Sequence, residues 1–548
     1  MRTPLRHADR RTARLRRALA ALLAIPALAG CTTVSRAPAP EPVAAVARPA
    51  PAVRPAETFD AVWTIVRDQH FDRELNGVDW DAVRAELEPR VATVASQDEL
   101  RGLLQEMLAR LGQSHFAIIP GDAPEAAASS DSSAGTAADA NTTVAPHIGT
   151  TTGTTTATTT ATPTTTTLAP DARPAAPADA GPGLSGVDVA FVEGRAMVLR
   201  VTPDSAGARA GVEPGWTLLA AGGTDVDAVL GRLSRALEAE TDPESPHARQ
   251  LRAGLAAIGA EVLTGPAGGA LDARFLDRTG AVREIELELE APALGTTQFG
   301  NLPPFPIEVS EREIELPSDD GRPIRIGVIS FNVWMTGASE AIDRAVDRFR
   351  GMDGIVLDLR GNPGGVGAMS MGVAGHFVRE KASLGSMIGR DNTLEFNALP
   401  RRVSVDGKRV RPYAKPLAIV QDGRSASTSE VFAGGLQDLG RARVFGEASA
   451  GMALPANAVR LPNGDALLHA IADFVTSKGT RLEARGVLPD EPAAPTADAL
   501  RAGRDPALDA ATAWIARETL EARARRAARD AEREAEREAA EAATANGG

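Results

Sequence analysis

Apolar residues fall at helical spacing in some stretches of this 548-residue chain and in short unbroken runs in others. Phe59, Val62, Trp63 and Val66 share one helical face, and Leu100, Leu103, Leu104, Met107, Leu108 and Leu111 share another. Ser96 and Glu99 stand as a capping box ahead of the second helix, and Asp79-Trp80-Asp81 precedes a helix carrying Val83 and Leu87. Apolar runs at 325–331, 354–359 and 417–420 read as strands buried on both faces, with an amphipathic helix at 338–349 between the first two. Such alternation predicts an α/β layered core. Residues 196–201 read as a further strand and 225–262 as a long helical stretch. Residues 511–515 finish the core, and 517–543 are a Glu/Arg/Ala run without apolar a and d positions, read as a solvated helix or frayed tail.

Composition changes the picture in two places. Between 120 and 181 the chain is mostly Ala, Thr, Ser and Asp, and 150–167 is nearly all threonine. Such a segment buries too little apolar area to offset its ordering entropy and is expected to be a disordered insertion. Residues 37–56, rich in Ala and Pro, read as an extended tether. The net charge of -13 is spread along the chain, which argues against a nucleic-acid partner.

The single cysteine, Cys31, leaves no disulfide within the chain and no Cys/His metal cluster, and no metal or cofactor is expected. It follows a basic stretch (Arg10, Arg11, Arg14, Arg16, Arg17) and an apolar stretch at 18–27 too short to span a bilayer. Leu28-Ala29-Gly30-Cys31 then reads as a lipoprotein processing site, with Cys31 lipidated as the first mature residue and Thr32 favouring the outer membrane.

The segment Gly423-Arg424-Ser425-Ala426-Ser427-Thr428-Ser429-Glu430 follows the strand run 417–420 and places hydroxyl residues where a strand hands over to a helix. A serine there lies near the unpaired N–H groups of the helix start, which suits a nucleophile in acyl transfer and equally suits a helix cap. Upstream stands Asp358-Leu359-Arg360-Gly361-Asn362-Pro363-Gly364-Gly365, and downstream stand Gly446-Glu447-Ala448-Ser449-Ala450-Gly451 and Glu483-Ala484-Arg485-Gly486-Val487-Leu488-Pro489-Asp490. In this order the motifs resemble the core of the carboxyl-terminal processing peptidases and the tricorn-type proteases.

The resemblance implies Ser427 as nucleophile, with Ser425 and Ser429 as cap and support. The lysine base of the processing branch falls at Met452, and a thioether cannot take a proton. Either the protein is inactive or its base comes from elsewhere. In the tricorn-like branch a Ser-His pair after an N-terminal helix supplies the base, which maps onto Ser114 and His115, with Glu483 as the distant carboxylate. The same resemblance assigns the oxyanion donors to backbone N–H groups at Gly364, Gly365 and Thr428. A stretch from about 183 to 291 resembles a PDZ domain, and Gly183-Leu184-Ser185-Gly186 is the loop that would hold a substrate's C-terminal carboxylate.

The expected architecture is multidomain α/β: a helical cap, a PDZ-like β-rich domain and an α/β layered, ClpP/crotonase-like peptidase core. Its divisions are a signal peptide at 1–30, tether at 31–56, cap at 57–120, insertion at 121–182, PDZ-like domain at 183–292, core at 293–513 and charged tail at 514–548. The expected function is a serine endopeptidase, lipid-anchored on the periplasmic side and acting on envelope polypeptides. The alternative is a catalytically silent peptide-binding or ligand-binding lipoprotein on the same fold. No oligomeric state follows from the sequence.

Overall fold

The computed structural model describes residues 54–121, 181–241, 248, 251–252, 254–255, 262–298 and 304–546, with side chains to 538. The expected leader, Cys31, most of the tether and the insertion at 122–180 lie outside the described residues.

Three helices begin the described chain: α1 (Pro55–Gln69), α2 (Trp80–Val91) and α3 (Gln97–Ala109). Proline opens α1 at a position whose N–H would have no partner anyway. Asp79 caps α2 by accepting from the Ala82 amide at 2.9 Å. Trp63 and Trp80 each donate an indole N–H to the other's carbonyl, at 3.0 and 3.1 Å, and so lock α1 to α2. The leucine face of α3 packs into the same core. The expected capping box forms in part: Ser96 accepts from the Glu99 amide, whereas the Glu99 carboxylate accepts from Ala95, one residue before the cap. Strand β1 (Ala117–Ile119) follows.

A β-rich region comes next. Strands β2 (Val187–Val192), β3 (Arg195–Val201), β4 (Thr217–Ala221), β5 (Ala270–Leu276) and β6 (Val282–Glu288) form an antiparallel sheet in that order. Helix α4 (Val226–Glu238) covers it through Val226, Val229 and Leu230. Of the helical stretch expected at 225–262, α4 covers Val226–Glu238, and residues 248, 251–252, 254–255 and 262 are also helical.

The largest layer is a mixed sheet. Its strands are β7 (Val309–Leu316), β8 (Ile324–Phe331) and β9 (Gly354–Asp358), then, after the hairpin β10 (Ala382–Gly389) and β11 (Thr393–Ala398), β12 (Leu417–Gln421) and β13 (Arg443–Gly446). Strands β14 (Ala456–Arg460), β15 (Ala466–Ala470), β16 (Ala472–Thr476) and β17 (Glu491–Pro492) complete the chain order. The sheet order is β7-β8-β9-β12-β13-β17, antiparallel only between β7 and β8.

Strands β9 and β12 are buried along their whole length because both faces are covered. Helices α5 (Thr336–Phe349), α6 (Gly367–Ala374) and α7 (Thr428–Asp438) take one face. Helix α8 (Pro506–Asn546) takes the other through Leu508, Ala511 and Ile515. Glycine is required where α8 crosses β9, since a Cβ on Gly354 would stand 2.2 Å from Ile515. Residues 506–546 are one continuous helix, and Arg523 still holds Asp320 and the Pro323 carbonyl. Packing against the core thus runs past the expected boundary at 513. Among the described residues no helix is long and apolar enough to cross a membrane.

Strand pairing and ion pairing carry the first three helices onto the core. Strand β1 pairs antiparallel with β15, Ala117 opposite Leu468, and Arg101 of α3 makes a bidentate pair with the buried Asp465 at 2.9 and 2.7 Å. Residues 111–116, between α3 and β1, are thereby brought to the mixed sheet's loops.

Candidate active site

Ser427 sits in the sharp turn from β12 into α7 with φ 53° and ψ -115°, a conformation that L-residues rarely adopt. Fixed contacts hold it there. Its amide donates to the Met452 carbonyl and to Glu430 Oε2, both at 2.9 Å. Glu430 is fully buried and accepts also from Met452 N at 3.0 Å, Gly451 N at 2.8 Å and Ser449 Oγ at 2.6 Å. Burial pushes its carboxyl up to about 7 against these four donors. Ser425 and Ser429 are spent on structure: Ser425 Oγ donates to the Leu359 carbonyl at 2.8 Å, and Ser429 Oγ accepts from Trp334 Nε1 at 2.9 Å.

The turn after β9 lies directly against this junction. The Ala426 amide donates to the Asn362 carbonyl at 3.1 Å and Thr428 Oγ1 to the Gly365 carbonyl at 2.8 Å. Two glycines permit the approach. A Cβ on Gly364 would stand 2.8 Å from Ser427 Cβ and Thr428 N, and one on Gly365 would stand 2.2 Å from the Trp334 carbonyl oxygen. Of the three amides expected to serve as oxyanion donors, Gly364 N–H is already taken, donating to Asn362 Oδ1 at 2.9 Å. The side chain of Asn362 is itself fixed by donating to the Phe331 carbonyl at 2.8 Å. Among the described residues the Gly365 and Thr428 amides have no acceptor.

His115 arrives from the other side. It is 3 % exposed and has φ 60°, and its Nδ1 lies 2.8 Å from Ser114 Oγ. Ser114 Oγ donates to Glu483 Oε2 at 2.8 Å, and Ser114 N donates to Glu483 Oε1 at 2.9 Å. Since the Ser114 hydroxyl hydrogen goes to the carboxylate, Ser114 Oγ accepts from the imidazole. Nδ1 therefore carries the ring hydrogen and Nε2 keeps a free lone pair. Burial lowers the imidazole to about 4, so it is neutral across the physiological range. Burial raises Glu483, while the Ser114 and Ala453 donors hold it back.

The two halves meet at consecutive residues. Met452 offers its carbonyl to Ser427, and Ala453 donates its amide to Glu483 Oε2 at 3.0 Å. No hydrogen bond joins Ser427 Oγ to His115 among the described residues. Such contacts are often long in free enzymes and tighten with substrate bound.

Sequence reasoning missed the charge network behind both turns. Asp188 of β2 accepts from Arg200 Nη2 and from Arg424 Nη1, each at 2.8 Å. Arg200 also reaches Asp358 at 2.7 Å, Arg360 pairs with Asp358 and Asp505, and Arg424 pairs with Asp422. The arginines hold Asp188 and Asp358 well below the usual carboxylate range although burial opposes it. Arg424 Nη1 also donates to the Val189 carbonyl on the outer edge of β2 at 3.1 Å. The expected carboxylate-binding loop 183–186 is in part a strand, since Pro182–Leu184 pair antiparallel with Thr264–Pro266; beyond it Ser185 Oγ accepts from Val187 N, and the Ser185 carbonyl accepts from Gly207 N.

Comparison with known proteins gives concordant matches. The model of peptidase family S41 matches residues 325–493, and that of the tricorn protease C1 domain matches 51–109. The chain is 30% identical over 186 residues to carboxyl-terminal-processing peptidase 2, chloroplastic, of Arabidopsis thaliana, covering 34% of this chain and 35% of that one. It is 28% identical over 176 residues to a carboxyl-terminal-processing protease of Synechocystis sp., covering 32% and 39% respectively. The chain thus spans little more than a third of the length of these curated relatives. Among solved structures, the photosystem II D1 C-terminal processing protease aligns with a TM-score of 0.42 at 18% identity, covering 80% of this chain and 93% of that one. The tricorn protease aligns with a TM-score of 0.42 at 14% identity, covering 84% of this chain and 36% of that one. Residues 325–493 are thus similar to peptidase family S41, and residues 51–109 to the tricorn protease C1 domain.

Proposed function

We propose that the protein is a serine endopeptidase of the tricorn-like, carboxyl-terminal-processing type, in which Ser427 is the nucleophile and His115 the general base. The observation that carries this reading is the relay Glu483–Ser114–His115, which fixes the Nδ1–H tautomer, set one residue along the chain from the carbonyl that holds the Ser427 amide. His115 Nε2 takes the Ser427 hydroxyl proton as Oγ bonds to the substrate carbonyl carbon. The proton then passes to the leaving amine as the C–N bond breaks, and water repeats the sequence to release the acyl group. Gly365 and Thr428 amides receive the oxyanion, each donor contributing about 3 kcal/mol in the transition state. Gly364 serves this site by its missing side chain, while its amide stays on Asn362.

The domain plan, the lipid anchor at Cys31, the location on the periplasmic face of the outer membrane and the holding of substrate by its C-terminus through 183–186 belong to the same proposal. They rest on the sequence motifs. Digestion of an unfolded protein, compared with the same chain bearing an amidated C-terminus, tests the activity and the handle together. Cleavage by wild type but not by Ser427→Ala supports the peptidase, and slower cleavage of the amidated chain supports C-terminal capture. No cleavage of either leaves the binding-lipoprotein alternative.

A further inference from the structure

His70 ends α1 and is fully buried beside the loop that carries Ser114 and His115. Its ring lies parallel to Phe116, with centroids 5.5 Å apart and planes 9° apart, and stacks on Phe71 at 4.7 Å. Nδ1 is 3.0 Å from the Asp72 amide and 2.9 Å from the Asp72 carbonyl oxygen. That carbonyl already accepts from Leu75 N, whereas the amide has no other acceptor among the described residues. Nδ1 therefore accepts, and Nε2 carries the ring hydrogen and donates to Gln113 Oε1 at 2.8 Å.

Gln113 immediately precedes Ser114, and Phe116 immediately follows His115. One imidazole thus grips the chain on both sides of that pair. A grip is needed because His115 is held at φ 60°, where an L-residue relaxes toward other conformations unless its surroundings over-determine it. His70 is also tied to the turn of the β10–β11 hairpin, for its carbonyl and those of Arg67 and Asp68 accept from Arg390 Nη1 at 3.1 to 3.2 Å. The groups facing His70 are Asp72, Gln113, Arg390 and, from β15, His469; those facing His115 are Ser114 and Glu483.

We propose that His70 is a positioning residue for the His115 base, clamping Gln113 and Phe116 so that the His115 Nε2 lone pair stays aimed at Ser427. The proposal rests on the reading of His115 as the base, and its test separates the two. His70→Phe keeps the stack and loses the hydrogen bond, and Gln113→Met removes the same bond from the other side. His70→Gln returns a donor near the place of Nε2.

Two quantities are read in each variant: kcat and KM on a peptide substrate, and the titration of His115 by histidine-selective NMR, assigned against His115→Ala. The expected result is a fall in kcat of about tenfold or more for His70→Phe and for Gln113→Met with KM little changed, no further loss in the double variant, and partial recovery in His70→Gln. The His115 midpoint, near 4 in the wild type, should rise by about one unit as water reaches the loosened loop. An unchanged His115 titration in folded His70→Phe and Gln113→Met overturns the clamp. If His70→Phe does not fold, the partly exposed Gln113 carries the test. A wild type inactive on peptide contradicts the peptidase reading, and the NMR titration still decides the clamp.

Discussion

The carbonyl oxygen of Met452 accepts the backbone hydrogen of Ser427 at 2.9 Å, so Met452 touches the proposed nucleophile through its main chain. Its amide in turn donates to Glu430. A side chain that acts only through packing tolerates a volume-conserving change. Met452→Leu should therefore keep kcat/KM within about threefold of wild type, whereas His115→Ala should lower it by about a thousandfold or more. Steady-state assays of the two variants check this, and a large loss in Met452→Leu would place chemistry on that side chain.

Glu430 offers both oxygens to donors, Oε1 to Ser449 and Gly451 and Oε2 to Ser427 and Met452. In Glu430→Gln one edge of the amide must present its NH2 to two of those donors whichever way it is turned. We expect a loss of about 2 kcal/mol or more in denaturant unfolding and a fall in kcat, because the left-handed turn at Ser427 loses its anchor. Unchanged stability would mean that Glu430 is protonated and weakly engaged in the folded protein.

The glycine turn gives a sharper test of the oxyanion site. Gly365 has φ 143°, and a Cβ there would stand 2.2 Å from the Trp334 carbonyl oxygen. Gly365→Ala should push its amide away from Thr428 and lower kcat by about a hundredfold or more, with KM less affected. A variant with normal kcat would remove Gly365 from the site.

How much of this was legible in the sequence depends on range. Strand 417–420 and helix 338–349 were legible because their apolar spacing is local, and β12 and α5 match them closely. Ser114, Ser427 and Glu483 lie more than 300 residues apart at the extremes, so only their motifs hinted that one site joins them. Which amides stay free could not be read at all: the capture of Gly364 N–H by Asn362 depends on a turn geometry that composition does not encode. Residues 517–543 could be read only as a helix or a frayed tail, because the apolar face of α8 fades after Ile515 while its Ala, Glu and Arg residues still favour helix.

His469 is another buried histidine, and among the described residues neither of its ring nitrogens has a hydrogen-bond partner. Burial lowers it to about 4. A histidine depressed in the folded state contributes fully above its unfolded value near 6.5 and loses that contribution as pH falls from there through 4. Raised carboxyls such as Glu430 act in the opposite sense over part of this window, so the difference between wild type and His469→Leu isolates the histidine. The variant should be more stable by about 1 to 3 kcal/mol at pH 7, with the margin widening by up to about 1.4 kcal/mol per pH unit between 6.5 and 4. Denaturant unfolding across that range checks it, and a margin independent of pH would show that His469 titrates normally.

The central claim is that Ser427 is activated by His115, and labelling with a fluorophosphonate, which bonds only to an activated serine, tests it most directly. Its pH dependence should follow the buried imidazole, falling off well below the ordinary histidine range and toward about 4. We expect wild-type protein to carry the label on Ser427 at neutral pH, and Ser427→Ala and His115→Ala to remain unlabelled while melting as folded proteins. Wild type that stays unlabelled, or His115→Ala that labels at the wild-type rate, would contradict the account.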